Sequence, residues 1–252
     1  MRMSSFIGKT ILSFLRDGNY AHAGEEEAIN LVMQRFAKTS NRSILDIGCG
    51  IGGTAKFMQD HGWGKVLGVD IDEEAIQYAK KTYPDVEFQV CNALNVASIP
   101  RQFDIICLFN VLYAIADRNA ALEAFNKIAK KNTHLMIFDY IDLSASKHNL
   151  SANNGNQYFI NPARTPHICL KDFSVLVKKS GWEITEIKNL DNEFIRWYEE
   201  LLAKIEKNRH KIRELFGEEA LTTTEKTYKD IYNSLMNKTM GGAIIYANSN
   251  VS

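Results

Sequence analysis

The chain has 252 residues, of which 45% are hydrophobic, and its 30 basic and 30 acidic side chains cancel to a formal charge of zero. That apolar content is enough for a packed core and excludes a disordered chain, while the balanced charge supplies no overall field toward DNA, RNA or an anionic membrane. A small molecule is the expected partner, with no nucleic acid and no membrane.

From the N-terminus, the apolar stretch Met1 to Gly18 is interrupted by Lys9 and is followed by no small-residue cleavage site, so a signal peptide is not expected. The longest apolar region, Phe103 to Ala116, is shorter than the roughly 20 residues a spanning helix needs, and a cytoplasmic location is expected. Apolar runs that take turns with helical patterns along the chain predict strands at Ser43–Gly48, Val66–Ile71, Val86–Cys91, Phe103–Phe109, His134–Tyr140, Trp182–Asn189 and Gly242–Ala247. Helical patterns near Gly53–His61, Glu73–Tyr83 and Arg118–Lys130 predict right-handed crossovers between them, and a further helix at Leu170–Ser180 stops at Gly181. The resulting βαβ order is that of an α/β fold around a largely parallel sheet.

Between Asn192 and Phe216, apolar residues recur at three-and-four spacing, predicting an amphipathic helix or a broken pair. Thr222 followed by Glu225 reads as a capping box that opens a second helix. The expected organisation is one domain, with a helical arm over 1–40, a ligand-binding half over 41–140, the rest of the sheet over 141–190 and 241–252, and a helical lid over 191–240. Cys49, Cys91, Cys107 and Cys169 are scattered, with no CxxC pair. Reduced thiols are expected, Cys91 and Cys107 in buried strands, and no metal site.

The strongest motif is Ile44-Leu45-Asp46-Ile47-Gly48-Cys49-Gly50-Ile51-Gly52-Gly53, a buried strand running into glycines at the start of a helix. Such glycines allow a sharp turn and close approach of a ligand to the backbone. Twenty-two residues after Gly48, the next strand ends at Asp70, where a carboxylate can accept hydrogen bonds from both hydroxyls of a ribose. Gly48, Gly50 and Gly53 alone also satisfy the dinucleotide pattern GxGxxG, so a nicotinamide or flavin site remains a reading of the loop. Asp46 occupies a position where dinucleotide-binding strands carry a small apolar residue.

With Asp46, the helical arm and the insertion before the last strand, the sequence resembles the S-adenosylmethionine-dependent methyltransferases of class I. The resemblance implies a seven-stranded Rossmann-like sheet, mostly parallel with an antiparallel last strand. It also implies S-adenosyl-L-methionine as cofactor, held by Tyr20, Asp46, Gly48, Cys49, Gly50, Asp70, Ile71, Asn92, Ala93 and Asn110. In that scheme Asp46 ties the glycine loop, Asn92 accepts the adenine amine through its amide oxygen, and Tyr20 closes over the methionine part. Tyr20, Asn110 and Tyr113 are the expected catalytic residues, aligning the acceptor for in-line attack.

Gly18-Asn19-Tyr20, Asp139-Tyr140, the run Trp197 to Leu202 and Gly241-Gly242-Ala243 resemble the phosphoethanolamine methyltransferases and their sarcosine and dimethylglycine relatives. This implies a small polar acceptor: an amine, zwitterion or anion held by Tyr140, Arg164 and Lys229, with His167 nearby. Ala114 stands roughly where the phosphoethanolamine enzymes carry a histidine, which departs from their pattern. A carboxylate O-methyltransferase and a catalytically silent cofactor-binding protein are the alternatives.

Overall fold

The computed structural model describes residues 2–16, 18–144 and 167–250. Seven strands build one sheet: β1 (Ser43–Ile47), β2 (Lys65–Asp70), β3 (Glu87–Val90), β4 (Phe103–Phe109), β5 (Ala129–Asp142), β6 (Trp182–Asn189) and β7 (Met240–Ser249). Their spatial order is β3-β2-β1-β4-β5-β7-β6. The first five are parallel, and β7 runs antiparallel to both β5 and β6. The chain winds outward from β1 through β2 to β3, then returns to place β4 on the other side of β1. That reversal opens a crevice at the carboxyl ends of β1 and β4, where open α/β sheets bind ligands.

Eight helices accompany the strands among the described residues: α1 (Phe6–Leu15), α2 (Glu25–Met33), α3 (Gly53–Asp60), α4 (Glu73–Thr82), α5 (Arg118–Lys127), α6 (Leu170–Lys179), α7 (Asp191–Phe216) and α8 (Glu218–Met236). Asp72 and Asp117 cap α4 and α5 by accepting N–H bonds from Ala75 and Ala120. Side chains alternate across the strands, so Ile106 and Leu108 enter one core layer with α5 and α6. Ile105, Cys107, Phe109, Phe138 and Tyr140 enter the other, shared with α1, α2, α7 and α8. The tips of β4 and β5 are thereby aimed at the helices that close the crevice.

Element boundaries differ in places from the sequence expectation. The helix expected to reach Lys130 ends at Lys127, because Ala129 already pairs with Phe103 in the sheet. Of the two readings of this stretch, a helix or a broken pair, residues 191–216 form the single helix. Thr222 caps nothing: α8 begins at Glu218, after Gly217 turns the chain at φ 88°. A left-handed glycine interrupts a helical run at lower cost than a side-chain cap further on. Finally, α1 precedes Tyr20, which lies between the two arm helices. No described helix is long and apolar enough to cross a membrane.

Candidate functional site

A cavity of about 480 Å³ lies at the carboxyl ends of β1, β2 and β4. Its floor is the glycine loop after β1. The N–H groups of Gly48 and Cys49 both donate to the carbonyl of Val69, at 2.7 and 3.0 Å, which folds the loop back onto β2. Gly48 adopts φ 71°, and a Cβ there would lie 2.4 Å from Val111. A Cβ on Gly53 would lie 2.3 Å from the carbonyl oxygen of Asn19, whose backbone rests directly on the start of α3. The loop needs glycine for both reasons, conformation and space.

At the tip of β2, Asp70 is the organising carboxylate. Its Oδ2 accepts from the N–H of Gly50 at 2.8 Å and its Oδ1 from that of Asp72 at 2.9 Å. The ammonium of Lys9 from α1 lies 3.2 Å from both oxygens and 3.4 Å from Asp72 Oδ2. Arg2, Met3, Ser4, Lys9 and Leu12 together wall this end of the cavity. Beside Asp70 the wall continues through Ile71, Asp72, Cys91, Asn92, Ala93 and Leu94. Ile71 is 68% exposed and offers an apolar flank to a planar ring. Asn92 Oδ1 already accepts the N–H of Leu94 at 2.9 Å, so one lone pair of the oxygen assigned to the adenine amine is spent on the local turn. Cys91, expected in a buried strand, follows the edge strand β3 and lines the cavity.

Asp46 lies beneath the loop, fully buried between β2 and β4. Contrary to expectation it makes no bond to the glycine loop: Cys107 Sγ is 3.9 Å from its Oδ1, and its Oδ2 has no hydrogen-bond partner. Burial, reinforced by the negative charge of Asp70, pushes its pKa up to about 8. The protonated form of Asp46 is thereby favoured, because a second bare carboxylate beside Asp70 is costly in so dry a place.

The far end of the cavity is lined by Phe109, Asn110, Tyr113, Tyr140, Tyr198 and Tyr228. Asn110 ends β4 at φ 54°, a left-handed conformation that costs energy in a non-glycine residue and marks functional turns. Its Oδ1 accepts the N–H of Ala23 at 3.1 Å, and its buried side-chain amide faces the Asp139 carboxylate, which it stabilises. The Tyr113 and Tyr140 rings meet edge to face at 5.2 Å, and the Tyr140 and Tyr198 hydroxyls are hydrogen-bonded to each other. Tyr198 and Tyr228 stack at 6.1 Å. Burial pushes all four phenol pKa values up, so each remains a neutral donor at ordinary pH.

Several expected site residues lie elsewhere. Tyr20 does not reach the cavity; its hydroxyl donates to Glu26 at 3.1 Å and its ring packs on Phe57, because α1 and α2 bury the segment between them. The adjacent Ala21 lines the cavity instead. Cys49 contributes its backbone to the loop, but its buried side chain points at Gly68. His167 sits behind Tyr140, 6.0 Å from its ring, outside the lining, and burial lowers its pKa to about 4. Lys229 is exposed; the α8 residues on the cavity are Thr227 and Tyr228, one helical step away. Arg164 lies outside the described residues. Among those that are described, no group of three His, Cys, Asp or Glu side chains is placed to hold a metal ion.

The methyltransferase domain model matches residues 20–187 of this sequence. The chain belongs to that family. It is 28% identical over 159 residues to a putative methyltransferase, 235L, of Invertebrate iridescent virus 6, covering 59% of this chain and 58% of the viral protein. It is also 22% identical over 235 residues to phosphoethanolamine N-methyltransferase 1 of Triticum aestivum, covering 85% of this chain and 41% of the wheat protein. In structure it is similar to phosphoethanolamine N-methyltransferase 2 of Haemonchus contortus, solved with phosphomonomethylethanolamine and S-adenosylhomocysteine. The TM-score is 0.81 at 18% identity, over 98% of this chain and 58% of the nematode one. The chain thus spans between 41% and 58% of the length of these three relatives. Its sheet is the Rossmann-like sheet of class I methyltransferases, with the last strand antiparallel.

Lys9 and the hydroxyl-bearing faces of Tyr198 and Tyr228 are site residues that sequence reasoning missed. In the sequence Tyr228 belongs to an amphipathic stripe, and Tyr198 to a stripe and to the run Trp197 to Leu202.

Proposed function

We propose that the protein is an S-adenosylmethionine-dependent methyltransferase acting on a small polar acceptor, an amine that also carries an anionic group. The observation that carries this reading is one continuous cavity, with the glycine loop and Asp70 at one end and four neutral phenols at the other. The residues present fit the cofactor. Asp70 suits a ribose diol, Ile71 and the turn at Asn92 flank a flat base, and Asn110 lines the cavity near the reacting end.

The bound cofactor supplies a methyl group on a positively charged sulfur, already activated toward displacement. What the chain adds is position and dryness. Asn110 and Tyr113 hold the acceptor nitrogen in line, worth up to about 7–11 kcal/mol in favourable intramolecular systems. Tyr228 and the one free hydroxyl proton of the Tyr140–Tyr198 pair donate to an anionic group and anchor the acceptor's other end, while α7 and α8 cover it against water. The nitrogen attacks neutral, so its proton leaves before or during transfer. The wheat and nematode relatives named above support an aminated phosphate as the first acceptor to test.

Incubating the protein with S-adenosylmethionine bearing a deuterated methyl group and a panel of small amines, including phosphoethanolamine and sarcosine, tests the reading by mass spectrometry. A labelled N-methyl product is expected. A labelled ester from a carboxylate, with no labelled amine, would instead establish O-methylation.

A further inference from the structure

The strongest unexplained relationship at the site is the grip of Lys9 on Asp70. A carboxylate has about four acceptor positions, two on each oxygen. In Asp70 all four are taken: Oδ1 by the N–H of Asp72 and by Lys9, Oδ2 by the N–H of Gly50 and by Lys9. The two backbone donors belong to the glycine loop and to the turn that opens α4, and cannot leave without unfolding them. Lys9 can leave, because its ammonium rides on a flexible four-carbon stem.

We propose that Lys9 is a built-in stand-in for the ribose: it neutralises Asp70 when no cofactor is bound, and the two ribose hydroxyls bind by displacing it. The proposal rests on the reading of Asp70 as the ribose carboxylate. The side chains of Lys9 and Asp70 are only 9% and 8% exposed, so Asp70 without a counter-charge would be a poorly hydrated anion. Lys9 removes that cost. A route for the exchange is also present, since Asp72 Oδ2 already stands 3.4 Å from the same ammonium and is more exposed, at 19%. A short swing transfers Lys9 from Asp70 to Asp72 and leaves the charge paired throughout. Because Lys9 belongs to α1, which with Arg2, Met3 and Ser4 walls this end of the cavity, the exchange also reports cofactor arrival to the arm.

Competition lowers apparent affinity by the fraction of molecules in which the site is free. Removing the competitor should therefore tighten binding, the reverse of what loss of an ordinary binding residue does. Lys9→Met, which keeps the length of the stem, should bind S-adenosylhomocysteine roughly three- to tenfold more tightly than the unmodified protein in calorimetric titration. Lys9→Gln should do the same and serves if the methionine variant does not fold. The gain should appear with adenosine and vanish with 2′,3′-dideoxyadenosine, a contrast that a merely structural role of Lys9 would not produce. Asp70→Asn separates the two levels of the claim. If it leaves S-adenosylhomocysteine affinity unchanged, the ribose reading itself is wrong. If it weakens affinity while Lys9→Met and Lys9→Gln bind as well as or worse than the unmodified protein, the ribose reading stands and displacement of Lys9 is overturned.

Discussion

Asp139, at the end of β5, accepts the backbone N–H of Tyr113 at 3.0 Å through one oxygen and that of Tyr140 at 2.8 Å through the other. One buried carboxylate thus sets the turn after β4 and the tip of β5 against each other, and with them two of the four cavity phenols. Burial pushes its pKa up to about 6, opposed by those two N–H donors and by the charge of Arg118. Replacing Asp139 by Ala should leave two buried N–H groups unpaired, at about 1–3 kcal/mol each, so a loss of about 2–5 kcal/mol is expected in urea unfolding. A loss below about 0.5 kcal/mol would mean that water or another group satisfies them and that Asp139 does not hold the tyrosines.

The glycine loop should tolerate no Cβ at Gly53. Gly53→Ala would push a methyl group against the backbone of Asn19, which has no rotamer to yield, so the segment joining α1 to α2 must shift. Stability should fall by about 1–3 kcal/mol and S-adenosylhomocysteine affinity should fall with it. Unfolding and titration data matching the unmodified protein would show that the arm does not rest on α3 as described.

Acid should weaken the fold through His22. The ring is fully buried, with Nε2 3.0 Å from Thr54 Oγ1 and Nδ1 2.9 Å from the carbonyl of Ala23, and burial lowers its pKa to about 3. Between about pH 3 and the ordinary value of 6.5 the unfolded chain holds the extra proton. Stability therefore rises with pH across that window, and this contribution is fully present above it. His22→Gln should lose less stability than the unmodified protein on going from pH 7 to pH 4. Equal losses would mean that other groups carry the acid response.

Asp46 acts in the opposite sense. From its ordinary pKa of 3.8 up to about 8 the folded protein holds the extra proton, so its contribution to stability falls as pH rises through that window and levels off beyond it. Asp46→Asn, which mimics the protonated form, should gain stability relative to the unmodified protein as pH rises from 5 to 8. A difference that does not change with pH would mean that Asp46 is ionised in the fold.

Much of this architecture was legible in the sequence because it is local. Short apolar runs between helical patterns mark all seven strands, and the glycines after Ile47 with Asp70 one crossover later mark the crevice. What depended on docking was not legible. Lys9 registered only as a break in an apolar stretch, since its partner lies 61 residues away across α1. Tyr20 looked free to cover a ligand, but the Glu26 carboxylate and the two arm helices hold it inside. The phenols of Tyr198 and Tyr228 sit on a stripe whose spacing says only that one face is buried. That this face meets a cavity follows from how α7 and α8 pack on α1 and the sheet. The turn at Gly217 was overlooked because Thr222 and Glu225 offered a familiar capping pattern five residues later.

The central claim is that the cavity at the ends of β1, β2 and β4 is built for S-adenosylmethionine. Calorimetric titration of the unmodified protein with S-adenosylhomocysteine, and separately with NAD, tests it most directly. Stoichiometric binding of S-adenosylhomocysteine is expected, weakened by about 2–4 kcal/mol in Asp70→Ala, because hydrogen bonds to a charged acceptor contribute about 1.5–3 kcal/mol each and water recovers part. Binding of NAD with none of S-adenosylhomocysteine would contradict it.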